Sequence, residues 1–171
     1  MLKGVLHYRG TLHVPMVISV PGQKPNRTDA LASSIDLGPT LMEICGIQGY
    51  DGIQGYSLNS LLQDPTASVR ESVLIEDDIA PLVASLTPIP AKTRTVITDT
   101  HRYTRNSKRE DQLIDLIVDP DECENQAETD PGERAMAIER LTDALIAADD
   151  AARGAPVDCL LYTSDAADDT P

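Results

Sequence analysis

Two side chains near the start of the sequence have chemistry that suits an anionic substrate. Lys3 is followed by a glycine, and His7 comes four residues after Lys3, just before an apolar run. A lysine ammonium is a compact positive charge with three hydrogen-bond donors, which fits a tetrahedral oxyanion. A histidine titrates near neutral pH, so His7 could contact a substrate or donate a proton to a leaving alcohol. The elements around the apolar run must position both groups.

Both residues also have simpler interpretations. A lone lysine is usually a solvated surface residue, and a histidine at the mouth of a strand is usually hydrogen-bonded within the fold. We favour this second role for His7, and we interpret His13 as structural. The residue types alone leave the chemical role of Lys3 open.

The composition excludes several classes of function. A formal net charge of −14 over 171 residues argues against general nucleic-acid binding and against anchoring on an anionic membrane surface. No run in the sequence approaches the roughly 20 apolar residues of a membrane span. The chain has five Tyr but no Phe and no Trp, whereas a self-sufficient domain usually fills its core with large aromatics. This shortage indicates that part of a core is missing from the chain.

The first part of the chain has the pattern of α/β structure. Residues 13–20, HVPMVISV, predict a buried strand, and Pro21-Gly22 predicts the turn that ends it. A helix follows, capped by Asp36 or Gly38 and with Pro39 at its first position. Its predicted apolar stripe consists of Leu37, Leu41, Ile44 and Cys45.

The second part has the pattern of α+β structure. Residues 72–76 predict a strand, residues 77–92 a long irregular loop, and the runs RTVITD, HRYTRN and QLIDLIVD an antiparallel meander. The last helix is capped by Asp130, with Pro131 at its first position. Its predicted inner face consists of Met136, Leu141, Ala144, Leu145 and Ala148. The predicted fold class is therefore α/β passing into α+β.

Two acidic stretches have alternative interpretations. Residues 76–78, Glu-Asp-Asp, could attract a hard cation, but we favour an acidic strand end that leads into a loop. Residues 119–125 lack the spacing of a calcium-binding loop and predict Asx turns. The three cysteines show no metal-ligand spacing, and Cys45 is interpreted as a small core residue.

Four stretches, in this order, resemble motifs of one enzyme family. They are LKGVLHYRGTLHVPMVISVPG, SIDLGPTLMEICGI, GIQGYSLNSLL, and RTVITDTHRYTR followed by QLIDLIVDPDECENQAETDP. They resemble the Lys-Gly to Pro-Gly segment, the Asp-Leu-x-Pro-Thr-Leu helix, the Gly-x-Ser-Leu segment and the Asp-Pro-x-Glu ending of sulfatases. These belong to the alkaline phosphatase superfamily, and the motifs lie in the C-terminal part of its sulfatases. Arg9-Gly10-Thr11 stands where many members have Glu-Gly-Gly.

The resemblance implies a division of the chain. Residues 1–68 would be the last part of an alkaline-phosphatase-like α/β catalytic domain. Residues 69–158 would form a small α+β subdomain, with an antiparallel sheet and a packed C-terminal helix, on the substrate side. Residues 159–169, CLLYTSDAADD, resemble one reading frame of a transposase-based sequencing adapter. We therefore expect residues 159–171 to be an adapter-derived artefact, and Met1 to be an internal methionine of a longer protein.

The resemblance also implies a reaction. A hydrated formylglycine attacks the sulfur of a sulfate ester, and Ca²⁺ polarises the sulfate as a Lewis acid. Lys3 matches the family's sulfate-binding lysine, whereas the formylglycine and the calcium ligands are expected outside this chain. The expected substrate is a sulfated small molecule or a sulfated glycan, and the fragment alone is expected to be inactive.

Two alternatives remain open from the sequence. A phosphonate or phosphate monoester hydrolase of the same superfamily shares these C-terminal motifs. The alternative that is not an enzyme is a non-catalytic acidic interaction domain. The sequence does not distinguish a bacterial cytoplasmic location from a periplasmic one, and it does not set the oligomeric state.

Overall fold

The computed structural model describes residues 7–79, Ser85 and residues 90–153. These residues form, in chain order, α1 (Arg9–Leu12), a 3₁₀ helix (Ser34–Asp36), α2 (Leu37–Ile44), α3 (Asn59–Gln63), β1 (Val73–Asp78), β2 (Lys92–Ile97), β3 (His101–Asn106), β4 (Gln112–Asp115) and α4 (Pro131–Arg153). The strands make one antiparallel sheet, and α4 packs against it. The predicted small antiparallel sheet with a packed C-terminal helix is confirmed.

The sheet is a meander in which each strand pairs with the next one along the chain, in the order β1-β2-β3-β4. Thr95 lies opposite Thr104, and Val96 lies opposite Tyr103. Because successive side chains of a strand point to opposite faces, this register gives the sheet two different faces. One face, called the polar face below, carries both threonines and also Ile75 and Ile114. The other face is apolar and carries Val96 and Tyr103.

Helix α4 covers the apolar face. The core contains buried residues of the sheet, of α4 and of the turn before it: Val96, Tyr103, Leu113, Ala127, Ala137 and Leu141. The helix begins as predicted, because the backbone N–H of Glu133 donates to the Asp130 carboxylate at 2.9 Å. Pro131 occupies the first helical position, where a missing N–H costs nothing.

The inner face of α4 differs from the prediction at Met136, which is 47 % exposed. Ala137 and Leu141, about one turn apart, are buried, and Ile138 and Leu145 pack beside them. Met136 is rotated from Ala137 by about 100° around the helix axis, and this rotation turns its side chain toward solvent. Leu141 and Leu145 are confirmed as inner-face residues.

A buried carboxylate fastens the start of α4 to the sheet. Asp111 accepts hydrogen bonds from the Tyr103 hydroxyl at 2.9 Å and from Arg134 Nε at 3.1 Å. Burial, with the Asp111 carboxylate as the next cause, raises the pKa of Tyr103 to about 12. The Tyr103 hydroxyl therefore remains a hydrogen-bond donor throughout the neutral pH range.

Helix α2 is attached through a second buried carboxylate. Asp36 is fully buried and accepts hydrogen bonds from the backbone N–H of Tyr56 at 2.9 Å and from the guanidinium of Arg70. One side chain thus ties the start of the helix to two later loops. The helix begins at Leu37, so Pro39 is its third residue and not its first as predicted.

Thr40 extends this polar attachment along α2. Its hydroxyl donates to the Asp36 carbonyl at 2.5 Å and accepts from the backbone N–H of Leu58 at 2.8 Å. The predicted apolar stripe is wrong at Leu41, which is 56 % exposed, whereas Leu37 and Ile44 are half-buried. The predicted core position of Cys45 is also wrong, because this residue is exposed. Hydrogen bonds to distant loops, which hydrophobic periodicity does not register, decide which side of α2 is buried.

The predicted strand at residues 13–20 is wrong, because the backbone there is irregular. Val17, which alternation would place in a core, is 92 % exposed. A strand needs a neighbour to satisfy its backbone groups, and among the described residues no strand pairs with this segment. The turn after it is confirmed, since Gly22 has a φ of +83°.

The predicted loop at residues 77–92 is shorter than expected at both ends. Strand β1 continues to Asp78, and β2 begins at Lys92. Within the loop, residues 80–84 and 86–89 lie outside the described residues.

The acidic end of β1 is paired with a cation of the neighbouring strand. Arg94 contacts Glu76 at 2.8 Å and Asp78 at 2.6 Å. The hydrogen bond from Arg94 lowers the pKa of Asp78. This geometry agrees with an acidic strand end, because Glu76 and Asp78 have the guanidinium of Arg94 as their common counter-charge.

Gly55 lies where two backbone segments come close together. A Cβ atom on Gly55 would stand 2.1 Å from the carbonyl oxygen of Ile35. We expect Gly55→Ala to lower the free energy of unfolding by about 1–3 kcal/mol, because the backbone must shift to admit the methyl group. Urea unfolding measures the change. Gly38→Ala is the control, since nothing lies within 4 Å of the added Cβ; a similar loss in both variants would contradict the close approach.

Candidate functional site

The face of the sheet opposite α4 is polar and nevertheless buried. Thr95 on β2 and Arg102 and Thr104 on β3 lie on this face, and each of them is shielded from solvent. Buried polar groups require hydrogen-bond partners. The two threonines bond to each other, and further partners are His7 and Glu122.

His7 lies directly on this polar face. Its Nδ1 is 2.7 Å from Thr95 Oγ1, and the residue is 5 % exposed. Burial lowers the pKa of His7 below its usual 6.5; the Asp77 carboxylate opposes this shift, and the charges of Arg102 and Arg94 add to it. His7 is therefore neutral at pH 7 in the folded protein.

Arg102 is the centre of the hydrogen-bond network. It is 1 % exposed, its Nε donates to Glu122 Oε1 at 2.6 Å, and its Nη1 donates to Thr104 Oγ1 at 2.9 Å. The ring of Tyr8 lies over the guanidinium, with 5.0 Å between Arg102 Cζ and the ring centroid. Its Nη2 is buried and has no hydrogen-bond partner among the described residues. The position of this charge is thus fixed from three sides.

Glu122 joins β3 to the start of the chain. Its second carboxylate oxygen accepts the backbone N–H of Arg9 at 2.6 Å. Glu122 has a φ of +56°, which is uncommon for a residue with a side chain. The turn around it is closed by the backbone N–H of Glu124, which donates to Asp119 Oδ2 at 2.7 Å. This bond holds the turn that directs the Glu122 carboxylate toward the sheet. The predicted Asx turn is confirmed at Asn125, whose Oδ1 accepts the backbone N–H of Ala127 at 3.1 Å.

The structure brings one of the two predicted site residues into this network. His7 belongs to it, whereas Lys3 lies outside the described residues. Sequence reasoning missed Thr95, Arg102 and Glu122. Their assembly depends on contacts such as that between His7 and Thr95, which are 88 positions apart. The Asp-Pro-x-Glu motif was the one local signal that pointed to Glu122.

A metal site is not formed by this part of the chain. Within residues 7–79, 85 and 90–153, no group of three or more His, Cys, Asp or Glu could hold a metal ion. The described side chains therefore do not fit Ca²⁺. Of the helices in the same ranges, none is both long enough and apolar enough to cross a bilayer.

Residues 3–149 match the family described as N-sulphoglucosamine sulphohydrolase, C-terminal. The chain belongs to this family. The matched range includes the whole network around Arg102, so this network is part of a sulfatase C-terminal domain. The match also covers Lys3.

Two relatives of this chain are much longer than the chain itself. The chain is 30 % identical over 126 residues to arylsulfatase K of Mus musculus. This match covers 70 % of the chain and 22 % of arylsulfatase K. The structure of BT1596, a 2-O GAG sulfatase, is 26 % identical with a TM-score of 0.55, and covers 72 % of this chain and 26 % of that one. The chain thus spans about a quarter of each relative.

A third similar protein shares the fold but carries a different name. The phosphonate monoester hydrolase SpPMH from Silicibacter pomeroyi is 22 % identical with a TM-score of 0.65, and the likeness covers 83 % of this chain and 30 % of that one. The architecture of the sulfatase C-terminal domain is therefore shared with a phosphonate hydrolase.

The Glu122 carboxylate is expected to be essential for stability. Glu122→Gln removes the negative charge while keeping the shape, and leaves Arg102 buried without a counter-charge. Removing one partner of a buried pair costs about 3–5 kcal/mol, which urea unfolding measures. Glu128→Gln, at an exposed position of the same loop, is the control and should stay within about 0.5 kcal/mol of the wild type. Equal stabilities of the two variants would show that the ion pair is not buried in solution.

His7 is expected to make stability depend on pH. Because its pKa is lowered in the folded state, the unfolded state binds more protons, and stability falls as pH drops below about 6.5. Above that pH the full contribution is present. We expect His7→Gln to flatten this part of the stability curve, measured as urea midpoints between pH 7.5 and pH 5. His13→Gln, at an exposed position, should keep the wild-type slope, and an unchanged slope in both variants would contradict the buried neutral His7.

Proposed function

We propose that this chain is the C-terminal portion of a sulfuric ester hydrolase and contributes a sulfate-binding lysine to its active site. The match of residues 3–149 to a sulfatase C-terminal family carries this proposal. The 30 % identity to arylsulfatase K supports it. Because the chain spans 22 % of that relative, the nucleophile and the metal ligands would come from other parts of the protein.

The domain division remains a proposal. Residues 1–68 would complete the α/β catalytic domain, and residues 69–158 would form the substrate-side subdomain, with residues 159–171 as an adapter-derived addition. The helices before β1 and the sheet with α4 after it are consistent with this boundary. Several hydrogen bonds cross it, including the one between Asp36 and Arg70, so the two parts would move as one unit.

Lys3 is proposed to bind the sulfate group. It lies four residues before His7, which is fixed on the sheet. Its ammonium would meet oxygens of the sulfate and stabilise the charge that moves in the transition state. In the intact enzyme, a formylglycine residue outside this chain would supply the nucleophile. A divalent metal, proposed to be Ca²⁺ and held by residues outside this chain, would supply Lewis-acid chemistry toward the sulfate.

The proposed substrate class is a sulfated glycan or a smaller sulfate ester. The family description names an N-sulphoglucosamine sulphohydrolase, and BT1596 is described as a 2-O GAG sulfatase. The second candidate function is hydrolysis of phosphonate or phosphate monoesters, which the similar fold of SpPMH favours.

Kinetics of the full protein encoded by the source reading frame distinguish the two. The assay compares release of the alcohol from an aryl sulfate and from a sulfated disaccharide with release from an aryl phosphonate. We expect kcat/KM to be higher for the sulfate esters. A protein that hydrolyses only the phosphonate would establish the second candidate, and one inactive on all three esters would support a non-catalytic domain.

Lys3→Ala tests the proposed sulfate ligand in the same protein. Loss of one group that stabilises transition-state charge typically lowers kcat about 10²–10³-fold, and we expect a loss of this size with sulfate esters. Lys24→Ala is the control, because Lys24 is exposed and lies in a polar loop. Equal kcat values for the two variants would contradict a role of Lys3 in the active site.

A further inference from the structure

We propose that Arg102, acting through Thr104 and Thr95, holds His7 as a neutral imidazole whose proton is on Nε2. His7 would then offer the sulfatase active site a hydrogen-bond donor and would not release a proton. This inference rests on the proposed function for its role, but its geometry stands independently. Arg102, Thr104 and Thr95 are positioning residues in this account.

The direction of the first hydrogen bond is fixed by chemistry. A guanidinium has N–H donors and no acceptor. Arg102 Nη1, at 2.9 Å from Thr104 Oγ1, must therefore donate, and the threonine oxygen must accept. The guanidinium itself cannot turn away, because Glu122 binds its Nε and the Tyr8 ring lies over its plane.

The next two bonds follow from the number of hydroxyl protons. Thr104 Oγ1 and Thr95 Oγ1 are 2.7 Å apart, and Thr95 Oγ1 is 2.7 Å from His7 Nδ1. If Thr104 donates to Thr95, then Thr95 donates to His7, and Nδ1 accepts. Both threonine hydroxyl protons then have an acceptor. The proton of the neutral His7 ring must therefore be on Nε2.

The opposite arrangement leaves a buried proton without a partner. If His7 Nδ1–H donated to Thr95, only one of the two threonine hydroxyls could donate to the other. The remaining hydroxyl proton, on Thr104 in one case and on Thr95 in the other, would need a further acceptor, and none lies among the described residues. A buried unsatisfied donor is costly, so the first arrangement is favoured.

The surroundings of His7 on balance disfavour a protonated ring. Asp77 on β1 favours a protonated ring, whereas Arg94 on β2 and Arg102 on β3 disfavour it, and burial disfavours it most. Glu122, from the turn after β4, is paired with Arg102 at 2.6 Å. A second buried cation is therefore not accommodated on this face.

A neutral imidazole has a specific chemical use in ester hydrolysis. Its Nε2–H can hydrogen-bond to an oxygen on which negative charge develops, but it is too weak an acid to give that proton away near neutral pH. His7 would thus stabilise the leaving oxygen or a sulfate oxygen by a hydrogen bond. A separate group or water would supply the proton to the leaving alcohol.

The test is the ¹⁵N spectrum of the histidine side chains in the 171-residue chain, with His13→Gln and His101→Gln variants to assign His7. We expect His7 to show an unprotonated Nδ1 and a protonated Nε2 at pH 7. A protonated Nδ1, or two protonated nitrogens, would overturn the proposal. Sulfatase activity does not enter this measurement, so failure of the proposed function would be seen separately, as absence of sulfate-ester hydrolysis.

Substitution of Thr95 tests the positioning role. Thr95→Val removes the hydroxyl that fixes the ring, and we expect the Nδ1 signal to shift toward an average of the two tautomers. Thr95→Ser keeps the hydroxyl and should restore the wild-type signals. Thr93→Val is the matched control, because Thr93 is buried two residues away on the same strand. Wild-type signals in Thr95→Val would show that the threonine chain does not position His7.

Discussion

The buried ion pair between Arg102 and Glu122 is the interaction on which the arrangement of this domain depends. Arg102 is 1 % exposed, and 2.6 Å separates its Nε from the Glu122 carboxylate. The pair joins three regions that are remote in sequence: strand β3, the turn at residues 119–125, and the segment at Tyr8 and Arg9. Two apolar residues of similar volume could be as stabilising as such a pair. Apolar replacements would not fix which group donates in the hydrogen bonds from Arg102 through Thr104 and Thr95 to His7. These bonds hold His7 in place.

Hydrogen bonds and ion pairs to buried carboxylates also fix the positions of the two longest helices among the described residues. Asp36 fixes helix α2 to the loops at Tyr56 and Arg70, and Asp111 fixes α4 to β3. The chain has no Phe and no Trp. One cluster of buried apolar residues lies between the sheet and α4, and Leu58, Leu61 and Ile114 are buried outside it. A domain with few large apolar side chains thus has its elements oriented by three buried carboxylates.

Local chemistry made the second half of the fold predictable from the sequence. Alternating strand runs predicted the meander, and Asp130 followed by Pro131 predicted the start of α4 to the residue. The first half was not predictable in the same way. The buried side of α2 is set by hydrogen bonds to Tyr56 and Leu58, and residues 13–20 have the pattern of a strand without a strand beside them among the described residues.

The candidate site was predictable only in part, for a similar reason. His7 could be recognised as a hydrogen-bonded histidine, but its partner Thr95 is 88 positions away and carries no sequence signal. Arg102 resembles any arginine in an amphipathic strand until Glu122, 20 positions later, is placed against it. The resemblance to the family nevertheless identified the region correctly, since residues 3–149 match its C-terminal domain.

Sequencing of the source DNA across both ends of the reading frame tests the central claim most directly. The account holds that this domain presents Lys3 and His7 to a sulfate ester, and that the nucleophile comes from elsewhere in the same protein. It predicts that the frame continues upstream of Met1 into a Cys/Ser-x-Pro/Ala-x-Arg motif with paired aspartates. A stop codon directly upstream, together with genomic sequence encoding residues 159–171, would contradict the account and leave a non-catalytic domain.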